Sequence, residues 1–83
     1  MKVTIKYFAS IREALGRAQE QRDTQAVTLG ALRDELMALG EDYALALSRG
    51  KAIRLACDQV MCDESAVLRD GAEVAFFPPV TGG

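Results

Sequence analysis

Thr28-Leu29-Gly30-Ala31-Leu32-Arg33-Asp34-Glu35-Leu36-Met37-Ala38-Leu39-Gly40 is the stretch whose reading decides the fold. Leu29, Leu32, Leu36 and Leu39 recur at spacings of three, four and three, which places four leucines on one stripe of an α-helix. Thr28 is a good N-cap, because its hydroxyl can accept one of the orphan N–H groups of the first turn. Gly40 supplies a left-handed stop. The stretch thus predicts one helix with a single apolar face. Just beyond it, residues 42–48 add a helical turn through Tyr43, Leu45 and Leu47, with Gly50 ending it.

The flanking segments read as strands. Lys2 to Phe8 alternates, with Val3, Ile5 and Tyr7 on one face and Lys2, Thr4, Lys6 and Phe8 on the other. Ser10-Ile11-Arg12-Glu13 has the form of a capping box, so Ser10 caps a short helix that closes at Gly16. The polar run from Arg17 to Gln25 makes a poor strand, suited to a wet sheet edge. Ile53 to Cys57 alternates, Asp58-Gln59 turns, and Val60-Met61-Cys62 returns. Asp70-Gly71 is a strong turn signal before Glu73-Val74-Ala75-Phe76-Phe77, which Pro78 and Pro79 terminate. One amphipathic helix cannot cover both faces of such a sheet. The economical solution is a mixed sheet packed on one face against the leucine stripe, an α+β roll of the β-grasp kind. Residues 1–79 then form the domain and residues 80–83 a flexible tail.

Composition narrows the function. Eighty-three residues hold one core. With 10 Lys+Arg against 12 Asp+Glu the net charge is -2, which argues against nucleic acid as a primary partner. No apolar run approaches the roughly 18 residues of a membrane span, and the first residues lack the apolar core of a signal peptide. A cytoplasmic protein is expected. Two cysteines and no histidine provide neither a four-ligand zinc site nor an imidazole base for a triad, and no phosphate-binding glycine loop is present.

The chain end carries chemistry of another kind. Pro78 and Pro79 stiffen the exit from the last strand, Val80 and Thr81 follow, and Gly82-Gly83 has no side chains at all. A terminus of this shape threads a narrow channel and presents a carboxylate whose carbon no Cβ shields. A free carboxylate resists nucleophiles at neutral pH and must first be activated, ordinarily as an acyl-adenylate made from ATP. This chain has no nucleotide-binding motif, so another enzyme must supply that step in trans. The chain is then a carried substrate rather than a catalyst.

Phe8-Ala9-x-x-Arg12-Glu13-x-x-Gly16, together with Asp70-Gly71-x-Glu73-Val74-Ala75-Phe76-Phe77-Pro78-Pro79-Val80-Thr81-Gly82-Gly83, resembles the small subunits of molybdopterin synthase, and Ala44 to Lys51 fits as well. The resemblance implies a ubiquitin-like sulfur carrier with no bound cofactor and with the catalytic residues on the large subunit. In that family a ubiquitin-activating-like adenylyltransferase uses ATP to adenylate the terminal glycine, here Gly83. Sulfur from a donor protein then makes a thiocarboxylate, and the tail enters the large subunit to build the dithiolene of molybdopterin from cyclic pyranopterin monophosphate. Departures from the family pattern are Cys57-Asp58 at the hairpin, Arg22 at an ordinarily apolar strand position, and Ala72 for a common Asp. A thiamine-pathway sulfur carrier, a ubiquitin-like protein modifier and a plain interaction module remain open as other readings.

Two further expectations follow from parity. A two-residue loop at Asp58-Gln59 sets Cys57 opposite Val60 and Leu55 opposite Cys62. The sulfurs then lie on a diagonal roughly 7–8 Å apart at Cα, beyond disulfide reach, and read as small buried hydrophobes. Phe8, Met61 and Phe77 fall opposite the core positions. They form one exposed apolar patch if the first and last strands are neighbours, as they are in the family, where that face docks the partners. Arg54 and Arg12 supply its polar rim, and the charges from Arg17 to Asp23 are a solvated edge.

Overall fold

Alternation in the first segment passes directly into β1, Lys2–Tyr7, where Val3, Ile5 and Tyr7 are buried and the residues between them are not. The computed structural model describes residues 1–79. Val80, Thr81, Gly82 and Gly83, and with them the tail, lie outside the described residues. After β1 come α1 (Ala9–Leu15), β2 (Gln19–Asp23), α2 (Leu29–Met37), α3 (Glu41–Ala46), β3 (Arg54–Cys57), β4 (Val60–Cys62) and β5 (Glu73–Phe77). The sheet runs in the order β2-β1-β5-β3-β4. β1 and β5 are parallel, and the other pairs are antiparallel. Inward residues of the central strands, Ile5, Tyr7, Leu55, Val74 and Phe76, share one core with Ile11, Leu15, Leu29, Leu32, Leu36 and Leu47 from the helical side. This is the β-grasp α+β roll, with helices on one face of a mixed sheet.

The leucine stripe holds for three of its four positions. Leu29, Leu32 and Leu36 are fully buried, whereas Leu39 is 45% exposed. α2 ends at Met37, and the Leu39 N–H bonds back to the Leu36 carbonyl, three residues away, which tightens the final turn and carries the chain off the stripe. Gly40 is therefore not a left-handed stop; it is extended, with φ 169°, and precedes α3. In α3 the expected trio of Tyr43, Leu45 and Leu47 has the period of a strand. The helical period instead buries Tyr43, Ala46 and Leu47 and leaves Leu45 exposed, and Leu47 rather than Gly50 ends the helix. Thr28 caps as expected, its hydroxyl accepting from the Ala31 N–H at 3.2 Å.

Ser10 does not cap α1. The helix begins two residues earlier, with Phe8 at the cap position and its carbonyl taking the Ile11 and Arg12 N–H groups. Gly16 closes it in the left-handed region at φ 71°, where a side chain would cost about 1 kcal/mol. Nor are the charges of β2 only a solvated edge. The Glu20 carboxylate accepts the hydroxyls of Tyr7 and Tyr43, at 2.8 and 2.7 Å, which ties the edge strand to β1 and α3. Burial first, and then Glu20, push the Tyr7 hydroxyl far above the usual tyrosine range, so it stays a donor. Arg22, the unusual strand residue, pairs with Glu35 of α2, which also accepts from Thr24.

At the opposite edge two arginines hold the connection from α3 to β3. Arg33 is 4% exposed and donates to the carbonyls of Leu47 and Ser48, at 2.8 and 2.9 Å. Arg49 pairs with Asp34 and with Glu64, the latter at 2.6 Å. Glu64 sits so close to α2 that a Cβ on Gly30 would meet its Oε1 at 2.9 Å and its backbone oxygen at 3.2 Å. The Gly30 N–H donates to that same oxygen at 2.9 Å, and a side chain at position 30 would have to push Glu64 aside.

Candidate functional site

β5 lies at the centre of the sheet, so the chain that follows it leaves from the middle of the molecule rather than from an edge. Its alternation divides the strand between two faces: Val74 and Phe76 enter the core, while Glu73, Ala75 and Phe77 turn to the face that no helix covers. Pro78 and Pro79 follow directly and line a small cleft with Ile11 of α1 and Lys51 and Ile53 of the α3–β3 connection. Neither proline can donate to a neighbouring strand, and the ladder stops there.

Phe8 reaches the same open face from β1. Its N–H donates to the Phe76 carbonyl, which extends the parallel pairing by one residue. Ala9 then takes φ 50°, a left-handed turn that starts α1 while Phe8 keeps its outward position. The Phe8 ring stacks on Phe77 with centroids 4.6 Å apart and planes 11° from parallel. Met61, 56% exposed on β4, stands on the far side of the same face. The patch expected from Phe8, Met61 and Phe77 is therefore assembled, because β1 and β5 are neighbours. Arg54 lies directly across from Phe77 in the β3–β5 register and is exposed.

Parity also places on this face residues that the sequence reading passed over. Lys6 and Glu73 form an ion pair at 2.9 Å. Ala56 and Ala75 are cross-strand partners, and Met61 is the next partner of Ala56. Both alanines alternate with core residues, so the signal was present in the strand period; their small size hid them among spacers.

The hairpin has the expected register, with Cys57 opposite Val60 and Leu55 opposite Cys62. Asp58 and Gln59 both take positive φ, 50° and 68°, as a two-residue hairpin loop requires. Asp58 also exchanges hydrogen bonds with Glu73, which pins the loop to β5. Both cysteines are free thiols. They are half-buried rather than buried, because the β3–β4 hairpin that holds them lies at the outer edge of the sheet. Burial, with help from Asp58 and Cys62, raises the Cys57 pKa, and burial with Asp63 raises that of Cys62. Thiols held protonated are poor nucleophiles, which argues against a sulfur relay through them. Among the described residues, no group of three or more His, Cys, Asp or Glu is placed to hold a metal ion, and no helix is long and apolar enough to cross a membrane.

Comparison with known proteins gives matches over nearly the whole chain. The model of the ThiS family matches residues 5–83. A molybdopterin synthase sulfur carrier subunit of Escherichia coli is 40% identical over 81 residues, covering 98% of this chain and 99% of that protein. A protein of the same description from Haemophilus influenzae is 37% identical over 81 residues, with the same coverage. Among solved structures, a complex of subunits 1 and 2 of molybdopterin-converting factor from Helicobacter pylori contains a chain with a TM-score of 0.70 at 26% identity, each chain covered in full. The chain belongs to the ThiS family, together with the molybdopterin synthase sulfur carrier subunits that it resembles over nearly its full length.

Proposed function

We propose that this chain is the sulfur carrier subunit of a molybdopterin synthase. Gly83 is adenylated by a ubiquitin-activating-like enzyme that uses ATP. Its carboxyl group attacks the α-phosphate, pyrophosphate leaves, and sulfur from a donor protein then displaces AMP to leave a thiocarboxylate. The open face seats the large subunit, the tail enters that subunit's active site, and the sulfur passes to cyclic pyranopterin monophosphate. Two large subunits at the centre and one carrier at each end make a heterotetramer, working in the cytoplasm.

The observation that carries this reading is that the central strand β5, which presents Phe77 on the uncovered face, leads in sequence directly into Pro78-Pro79 and the Val80-Thr81-Gly82-Gly83 end. A docking face and a bare carboxylate thus come from one strand, and the four residues after Pro79 span about 14 Å when extended. The chain contributes position and reach; the chemistry belongs to its partners. The Helicobacter pylori complex, a structure of two such subunits together, supports the large subunit as partner.

The test uses the full chain with the activating enzyme, ATP and a sulfur donor, followed by intact mass. A thiocarboxylate adds about 16 Da, sulfur for oxygen, and no lysine conjugate is expected. One residue added after Gly83 should abolish the product while leaving the thermal unfolding curve unchanged. Pterin conversion by the extended chain would overturn the carrier mechanism, and conjugates to protein lysines would assign the chain to the modifiers instead.

A further inference from the structure

We infer that Cys57 and Cys62 together form a two-thiolate site for a soft monovalent metal ion, Cu(I). Both side chains pack against the margin of the core from one face of the β3–β4 hairpin. With Cys57 opposite Val60 and Leu55 opposite Cys62, the thiols stand on a diagonal, their Cα atoms roughly 7–8 Å apart and their Cβ atoms somewhat closer. They are near enough for Cys62 to contribute to the raised pKa of Cys57. A disulfide requires sulfurs about 2 Å apart and Cα atoms usually within about 6.8 Å, which the diagonal exceeds. A metal ion between them lengthens the bridge to two bonds of about 2.3 Å each, so that the sulfurs stand about 4.6 Å apart. The spacing that denies the pair a disulfide therefore suits a metal bridge.

The ligand set selects the ion. Thiolates favour Cu(I), zinc and iron–sulfur clusters. Zinc and the clusters need three or four protein ligands, whereas the chain has two cysteines and no histidine. Among the described residues no carboxylate joins the pair to make a group of three. Cu(I) has a filled d shell and accepts two sulfurs in line. The acids that follow the thiols, Asp58 and Asp63, place negative charge beside the cation, and the Cys57 thiol already donates to Asp58 Oδ2 at 3.9 Å. Access exists, because both thiols are half-buried and Cys62 lines a solvent-open cleft with Ile53 and Leu55. Binding forms two Cu–S bonds and breaks two S–H bonds; both protons pass to water, and no oxidation state changes.

The experiment uses the full chain with its thiols reduced, under nitrogen, and supplies Cu(I) as its acetonitrile complex in competition with a chromophoric Cu(I) chelator. Native mass spectrometry should show one copper per chain. Cys57→Ser and Cys62→Ser should each lower Cu(I) affinity at least about a hundredfold, the upper end for losing even an outer partner of a metal ligand. Thermal unfolding of each variant establishes that it is folded, and the two positions serve as independent trials. Zn(II), titrated in parallel, should bind at least about a hundredfold more weakly than Cu(I), because two ligands leave its coordination incomplete. Mild oxidation with glutathione disulfide should not remove the two hydrogens that an internal disulfide would cost the wild-type mass. A wild-type chain that takes up no copper, or full affinity in either serine variant, would overturn the site. One copper shared between two chains would overturn a bridge within the hairpin. An internal disulfide would overturn the spacing on which the bridge rests, and Zn(II) held as tightly as Cu(I) would overturn the choice of ion.

Discussion

Phe76 and Phe77 are neighbours on one strand and belong to two different problems. Phe76, fully buried on the covered face, lies 6.1 Å from the Tyr7 ring and helps to close the core over the helices. Phe77, on the open face, stacks on Phe8 at 4.6 Å with water beyond it. The residue type is the same; the strand's pleat decides which layer each ring meets. A single set of strands thereby uses one face for folding and leaves the other uncovered. The two faces can be perturbed one at a time.

The largest effect tests that separation directly. Phe76→Ala should cost about 3–5 kcal/mol of stability in urea unfolding, the range for an aromatic deleted from a packed core. Phe77→Asp should instead weaken large-subunit binding by at least about thirtyfold and move unfolding by less than about 1 kcal/mol. Unfolding by Phe77→Asp comparable to that of Phe76→Ala would break the comparison, since the open face would then be part of the core. Unchanged co-elution of Phe77→Asp with the large subunit would sink the patch.

A smaller effect sharpens the covered side. Cys57 and Cys62 point to the core but sit at its margin. Replacing either by Ala should cost about 1 kcal/mol, at the low end for a partly buried side chain, and the double mutant should still form thiocarboxylate. Loss of thiocarboxylate in a folded double mutant would show that the thiols act in sulfur transfer after all.

The smallest effect concerns the charges that tie the helical layer to the sheet's edges. Burial raises the Glu35 pKa, but hydrogen bonds from Arg22 and Thr24 outweigh it and leave the carboxyl below the ordinary 4.5; Arg49 does the same for Glu64. A carboxylate depressed in the folded state contributes stability that is whole above its unfolded pKa and is lost as pH falls through the folded value. Tm should therefore decline once pH drops below about 4.5, and less steeply in Glu35→Gln. The decline should be modest, as both side chains are about a third exposed and screened by water. A Glu35→Gln profile superimposable on that of the wild type would remove the Arg22 pair from the account.

Most of the architecture was legible before any coordinates, and the misses have identifiable causes. Strands with clean alternation, the Thr28 cap, the Asp58-Gln59 turn and the Pro78 stop are local matters, and local chemistry decides them. Leu39 and Leu45 were misplaced because a stripe says which residues share a face and not where the helix will end. Ser10 was displaced by the parallel pairing of Phe8 with Phe76, a partner 68 residues away. Glu20 and Arg22 looked like solvent residues because their partners, Tyr43 and Glu35, come from helices that fold back over the edge strand.

By itself the sequence determined which faces exist. Period two in β1, β3 and β5 and the leucines of α2 require one buried side and one open side. Only the tertiary structure decided what the open side presents. Phe8 and Phe77 stack because β1 and β5 run parallel at the centre of the sheet, and Ala56 and Ala75 lie side by side because β3 pairs with β5 in that register. Strand order is a property of long-range pairing, set by the packing of the whole core, and no local pattern of residues encodes it.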